Sequence, residues 1–121
     1  MIGIVTAFGE AVVSLTLVGE SGQDIQLQTI IDTGYNGELT LSPDTVRQLS
    51  LQFAGYREAT LADGSEVSLG LYEAWVKWHG CTRSVEVLEA DGDPLAGMSL
   101  LWGSELRLQA RPDGDVTIEE F

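Results

Sequence analysis

The stretch Ile30-Ile31-Asp32-Thr33-Gly34 ends an apolar run with a carboxylate, a hydroxyl and a glycine. The two isoleucines are expected to hold Asp32 at the edge of the core, where it is partly removed from water. Gly34 permits a close backbone approach, so its N–H can point at the carboxylate, and the Thr33 hydroxyl can brace the loop. Asp-Thr-Gly also occurs by chance in ordinary turns. Alone, the tripeptide therefore leaves two alternatives, a turn and a fixed, partly buried acid.

Period-two alternation of apolar and polar residues surrounds this stretch and predicts strands. Residues 11–18 and 25–31 form the two strands of a predicted hairpin, joined by the polar residues 20–24. A helix is predicted over 43–50, because Ser42 is a favourable N-cap and a proline follows it. The same kinds of signal predict the other elements: an extended run over 38–41, a hairpin over 60–67 around Asp63-Gly64, strands over 67–78 and 82–89, a helical turn over 100–102, and a closing hairpin of 105–110 and 115–121. The chain is therefore predicted to be all-β, one domain over residues 1–121 with one or two short helices.

The composition limits the classes of function that the chain can serve. It is 44% hydrophobic and 21% charged, as in an ordinary folded domain, and six basic residues face nineteen acidic ones for a net charge of −13. No nucleic acid and no membrane surface is expected as a partner, because both need clustered lysine or arginine. Basic peptides and basic proteins stay open as partners.

Several other features have ordinary explanations. Cys81 is the single cysteine, which rules out an internal disulfide and a cysteine-based zinc site. The segments 91–93 and 113–115 repeat Asp-Gly-Asp but lack the pattern of a calcium loop, so they are predicted as turns. His79 is predicted to lie in a turn, and no metal or cofactor is expected. The tryptophans are predicted to be core or interface residues: Trp75, Trp78 and Trp102. Without a signal peptide or a membrane helix, the chain is predicted to be cytoplasmic.

A second segment changes the interpretation of the first. Leu95-Ala96-Gly97 repeats the pattern of two apolar residues and a glycine, and the Asp63-Gly64 hairpin lies between it and Asp32. An apolar strand ending in Asp-Thr-Gly, a flap hairpin, and a second apolar-apolar-glycine segment, in this order, resemble the single-domain retropepsin-like aspartic proteases of clan AA, especially the small bacterial type. The resemblance implies a closed β-barrel with a flap hairpin.

The resemblance also implies a site. Asp32, Thr33 and Gly34 would be catalytic: Asp32 as the acid, Thr33 as a brace between two loops, and Gly34 as the donor to the carboxylate. The substrate-binding residues would be Tyr35 and Asn36 beside the motif, with Ala62, Asp63, Gly64 and Ser65 in the flap. A peptide would bind in the cleft as an added strand.

The chain departs from the family pattern at three places. Tyr35 stands where the family usually has alanine or serine. Met98 stands where the viral enzymes have an arginine that pairs with an acid just after their motif, so that internal ion pair is expected to be absent. Gly64 is the one glycine at the flap tip, which predicts a shorter and stiffer flap.

The family chemistry needs two carboxylates that share one proton, and this chain supplies one Asp-Thr-Gly. An active enzyme would therefore be a homodimer in which two Asp32 side chains meet on a two-fold axis. The segments 1–6 and 115–121 are predicted to present strand edges for this pairing. Two other interpretations stay open: a non-catalytic dimerisation or peptide-binding module on the same fold, and a small β-domain that binds a basic protein.

Overall fold

The computed structural model describes residues 1–19 and 22–121. Within them lie β1 (Ile2–Val5), β2 (Ala11–Val18), β3 (Asp24–Ile31), β4 (Leu39–Leu41), α1 (Pro43–Gln48), β5 (Gln52–Thr60), β6 (Glu66–Trp78), β7 (Cys81–Glu89), β8 (Leu95–Ala96), α2 (Met98–Leu101), β9 (Ser104–Leu108) and β10 (Asp115–Glu120). The prediction of an all-β chain with one or two short helices is confirmed. The turn predicted between β2 and β3 falls partly on residues 20 and 21, which lie outside the described residues.

The first helix begins where the sequence predicts and ends two residues earlier. The Ser42 hydroxyl accepts the Thr45 N–H at 3.3 Å, which satisfies one of the free amides of the first turn. The helix ends at Gln48 because Ser50 takes a φ of +51°, in the left-handed region that an α-helix cannot continue through.

The strands form one sheet in the order β5-β6-β7-β4-β8-β3-β2-β1-β10-β9. An additional antiparallel pairing joins β2 to β6, from Thr16↔Lys77 to Val18↔Trp75. This pairing joins the two ends of the six-strand run from β6 to β2 through three residue pairs, so these strands surround the core without forming an evenly closed barrel. β5 lies outside these strands on one side, and β1, β10 and β9 extend from them on the other.

The terminal strands do not present the free edges that the sequence predicts. β1 pairs with β2 on one side and with β10 on the other, and β10 also pairs with β9. The Met1 amino group donates to the Ile118 carbonyl at 2.9 Å, which extends the β1–β10 ladder. The prediction that 1–6 and 115–121 offer edges is therefore wrong. The backbone groups of β1 and β10 form hydrogen bonds with each other and with β2 and β9. The edges of the sheet are therefore β5 and β9.

The core is built from the inward residues of these strands. On β2, Val13, Leu15 and Leu17 are each 1% exposed, which follows the predicted period of two. Fully enclosed side chains from other elements complete this core: Leu39, Leu41, Val76, Val87, Leu100, Val116 and Ile118. Trp78 packs among them, whereas Trp75 and Trp102 are exposed.

The flap hairpin, which we define as β5 and β6 with its tip at residues 61–65, is longer than the 60–67 hairpin predicted. Its ladder runs from Gln52↔Glu73 to Thr60↔Glu66, with a bulge between Phe53 and Gly55. Strand 52–60 shows no clean alternation because most of its side chains are exposed on both faces. Among the described residues, no helix is long and apolar enough to cross a membrane, and the cytoplasmic location stays a prediction.

Candidate active site

Sheet pairing brings together the two segments that the sequence singles out. β3 runs parallel to β8, with Ile30 opposite Leu95 and Ile31 opposite Ala96. The ladder continues past the strand end, because the Asp32 N–H donates to the Ala96 carbonyl at 2.9 Å. Asp32 therefore begins the motif loop, which we define as residues 32–38, directly beside Gly97.

The Asp32 carboxylate has the environment that the motif predicts. The Gly34 N–H donates to Oδ1 at 2.9 Å, and the Tyr35 N–H donates to the Asp32 carbonyl at 3.1 Å. Asp32 is half-buried, while Thr33 and Gly34 are exposed. No ion pair to Asp32 forms within the described part of the chain. The backbone thus fixes one carboxylate oxygen and leaves the group free of a cation.

Tyr35 turns back along the motif loop. Its phenol oxygen lies against Gly37, and a Cβ added to Gly97 would meet the Tyr35 ring at 2.6 Å, so both glycines make room for it. Burial raises the pKa of the phenol, and Glu86 and Glu38 add to the rise while Arg57 opposes it. The Tyr35 phenol is therefore protonated throughout the pH range in which a carboxyl group can act as an acid or a base.

A cleft of about 520 Å³ opens beside this ring. It is lined by Tyr35, Asn36, Gly37, Glu38, Arg57, Glu86, Leu88 and Ser99. Two of the predicted substrate-binding residues, Tyr35 and Asn36, thus share one cleft. Arg57 and Glu86 form an ion pair of 2.8 Å across it, and sequence reasoning missed both, because no local pattern relates β5 to β7.

The flap tip is ordered by its own side chains and does not line that cleft. The Ser65 N–H and hydroxyl donate to the Asp63 carboxylate at 2.9 and 2.6 Å. Both hydrogen bonds lower the pKa of Asp63, and the bond from the Ser65 hydroxyl has the larger effect. Gly64 takes a φ of +86°, which the tight turn requires. Ala62 is exposed with its neighbours, so the four predicted flap residues lie together at the tip.

An unexpected ion pair braces the motif loop. Met98 cannot supply a cation, as the sequence indicates, yet Arg83 of β7 reaches the Glu38 carboxylate at 2.7 Å. The same guanidinium donates at 3.4 Å to the Ser99 and Leu100 carbonyls of α2. The other Glu38 oxygen accepts the Glu86 N–H at 3.0 Å. An ion pair therefore joins the motif loop to β7, and hydrogen bonds from the same arginine connect both to α2.

His79 and Cys81 lie outside the motif loop and do not line the cleft beside Tyr35. His79 lies in the β6–β7 turn with a φ of +50°, and its Nε2 lies 2.7 Å from the Ser104 hydroxyl. Cys81 is an exposed free thiol. The described residues contain no cluster of three or more histidine, cysteine or acidic side chains that could hold a metal ion.

Comparison with known proteins supports the fold. No family model matches the sequence, and no curated protein matches it. The structure is similar to the crystal structure of a retropepsin-like aspartic protease from Rickettsia conorii, with a TM-score of 0.63 and 14% sequence identity. The similarity covers 100% of this chain and 90% of that one. This chain therefore has a retropepsin-like all-β fold.

Proposed function

We propose that this retropepsin-like chain is one half of an aspartic endopeptidase, completed when two copies bring their Asp32 side chains together. The observation that carries the proposal is the Asp32 carboxylate. It follows an apolar strand, accepts the Gly34 N–H at 2.9 Å, and stands in a loop whose next two residues are exposed. A carboxylate that is fixed by backbone, free of a cation and open to an approaching partner suits acid–base chemistry.

The reaction needs a base and an acid at one place. Two facing carboxylates cannot both ionise cheaply, so the pair keeps one proton over a range of pH. The ionised member takes a proton from water, the hydroxide attacks the peptide carbonyl, and the protonated member donates its proton to the carbonyl oxygen. The first carboxyl group then donates the proton it took from water to the peptide nitrogen, and the C–N bond breaks. One hydroxyl of the tetrahedral intermediate returns its proton to the second carboxylate as the new carboxyl group forms.

One chain does not supply both groups. The segment beside the motif loop, Leu95-Ala96-Gly97, has the matching backbone position and no acid. In this proposal the second carboxylate comes from Asp32 of another copy, and Thr33 braces the two motif loops.

The substrate in this proposal is an extended peptide. Such a segment binds as an added strand, satisfying its backbone groups against neighbouring ones. The flap tip at 61–65 would cover it, and Tyr35 and Asn36 would contact one of its side chains in the cleft described above. The net charge of −13 favours neutral or basic peptides over acidic ones.

The test is Asp32→Asn against a matched control, Asp91→Asn. Both changes remove one negative charge, and Asp91 lies exposed in the β7–β8 connection. With a mixed peptide library from about pH 4 to about pH 8, Asp32→Asn should lower hydrolysis by about a hundredfold or more, whereas Asp91→Asn should leave it unchanged. Cleavage by the parent should decline as pH rises, because the pair loses its shared proton.

The dimer gives a second measurement. Facing carboxylates repel once the shared proton is lost, so the parent dimer should weaken more steeply as pH rises than the Asp32→Asn dimer, which keeps only the general repulsion between two acidic chains. Equal hydrolysis by Asp32→Asn and the parent would refute the catalytic role. A dimer that cleaves no peptide at any pH would instead identify a non-catalytic module on the same fold.

A further inference from the structure

A cavity of about 610 Å³ lies where β6 changes its partner in the sheet. β6 pairs with β5 as far as Glu73 and with β2 from Trp75 onward, so Ala74 stands between the two partners. We call this space the Trp75 cavity, and its volume is within the range of sites that bind small ligands. Its lining residues are Val18, Gly19, Leu49, Leu51, Gln52, Glu73, Ala74, Trp75 and Thr82.

The aromatic and acidic groups of this cavity suit a cation. Trp75 is 47% exposed, so part of its indole ring is open to a ligand. Glu73 lies two positions earlier on β6, on the same exposed face, and its carboxylate forms no ion pair with another described residue. A lysine or arginine side chain can lay its methylene stem and its charge against an indole ring while its head reaches a carboxylate.

The placement of Glu73 in the sheet also favours a cationic ligand. Glu73 stands directly opposite Glu86 in the β6–β7 ladder, and like charges in that arrangement destabilise an antiparallel pair. Glu86 has a cation of its own, because Arg57 lies 2.8 Å from it, and Lys77 on the same face is held by Asp24 at 2.6 Å. A bound cation would therefore pair with Glu73 and relieve its repulsion with Glu86.

A third cavity, of about 270 Å³, lies between the Trp75 cavity and the cleft beside Tyr35. It shares Glu73 with the first, and it shares Glu38 and Glu86 with the second. Leu88 of the cleft is opposite Leu71 of β6, which is four positions from Trp75. An extended peptide of about four residues, or about 13 Å, covers that distance. One peptide can therefore occupy the cleft and reach the Trp75 cavity.

We infer that the Trp75 cavity binds a lysine or arginine side chain of a peptide that lies along β6, with Trp75 stacking on the side chain and Glu73 pairing with its charge. The role of the cavity in catalysis rests on the proposed function. In that enzyme the peptide is a substrate that also occupies the cleft beside Tyr35, so the cavity selects substrates with a basic residue beyond the cleft. The net charge of −13 attracts basic peptides to the whole surface, and this site fixes where one of their charges binds.

The binding experiment titrates acetylated and amidated Ala-Ala-Lys-Ala-Ala into the parent protein, with norleucine in place of lysine as the uncharged probe. In NMR spectra, the Trp75 indole N–H resonance, identified by its loss in Trp75→Leu, should shift with the lysine peptide and far less with the norleucine peptide. Glu73→Gln should raise the Kd of the lysine peptide by about threefold to fivefold. Asp91→Asn removes one negative charge from the exposed β7–β8 connection and should leave that Kd nearly unchanged. Circular dichroism confirms that each variant is folded.

Cleavage gives a second readout, which separates this inference from the proposed function. For library peptides that carry lysine or arginine, Glu73→Gln should lower kcat/KM by about threefold through KM, whereas peptides without a basic residue should be cleaved equally by variant and parent.

Equal binding of the lysine peptide by Glu73→Gln and Asp91→Asn, or a Trp75 resonance that this peptide does not shift, would overturn the Trp75 site and leave Asp32-dependent cleavage standing. Binding at Trp75 without cleavage by the parent would support the site and refute the enzyme. Cleavage of basic peptides that is unaffected by Glu73→Gln would overturn the selection of substrates by this cavity.

Discussion

Arg83→Met tests whether the ion pair behind the motif loop stabilises the site. Arg83, on β7, pairs with Glu38 of the motif loop and donates to the Ser99 and Leu100 carbonyls of α2. Methionine keeps most of the aliphatic length of the side chain and removes the charge and the donors. The Glu38 carboxylate would keep one hydrogen bond, from the Glu86 N–H, and would lose its cation.

The loss in the free energy of unfolding that we expect for Arg83→Met lies between the values for exposed and for buried ion pairs. Exposed ion pairs contribute about 0–1 kcal/mol, and removing one partner of a buried pair costs about 3–5 kcal/mol. The side chains of Arg83 and Glu38 are 34% and 19% exposed, so solvent screens the pair only in part. We expect Arg83→Met to lower the free energy of unfolding by about 2 kcal/mol, which is about 8 °C in Tm for a chain of this size.

Arg107→Met is the matched control. Arg107 pairs with Glu105 at a similar 2.7 Å, but its side chain is 77% exposed. Urea unfolding followed by circular dichroism should show a loss below about 0.5 kcal/mol for this control. A double-mutant cycle with Glu38→Gln should return a coupling of about 1–2 kcal/mol. Equal losses in Arg83→Met and Arg107→Met, or no coupling to Glu38, would refute the reasoning.

Two further predictions concern the backbone of the motif loop and of the flap. Gly97→Ala should destabilise the chain by about 2–3 kcal/mol in urea unfolding, because the new Cβ would lie 2.6 Å from the Tyr35 carbonyl oxygen; Gly34→Ala, whose Cβ meets only Asp32 Oδ1 at 3.2 Å, should fold with little loss. Equal stability of the two variants would contradict this packing. In the flap, Ser65→Ala should raise the pKa of Asp63 in a carboxyl NMR titration, since the hydroxyl is the largest cause of its lowering. Because the pKa of Asp63 is lower in the folded chain than in the unfolded one, its hydrogen bonds stabilise the turn fully at a pH above the unfolded pKa. That stabilisation is lost as the pH falls through the pKa of the folded chain. An unchanged titration of Asp63 in Ser65→Ala would show that the hydroxyl bond is not formed in solution.

Local sequence was sufficient for the elements whose geometry depends on neighbouring residues. The β2 alternation, the Ser42 cap and the Asp63-Gly64 turn each follow from side chains a few residues apart. The Asp32 motif belongs to this group, because its defining hydrogen bond spans two residues. The strand over 52–60 was not predicted, because neither of its faces is buried. Its sequence therefore lacks the alternation of apolar and polar residues that indicates a strand.

The sequence by itself therefore determined an all-β chain with one fixed acid at the end of an apolar strand. Only the tertiary structure decided what lies around that acid. Arg83 meets Glu38 across 45 positions of sequence, and Phe121 joins Trp102 around one cavity beside Thr33. β1 and β10 come from opposite ends of the chain and pair with each other. Which strands become neighbours in the sheet depends on the free energy of packing the whole chain. No local pattern of residues encodes it.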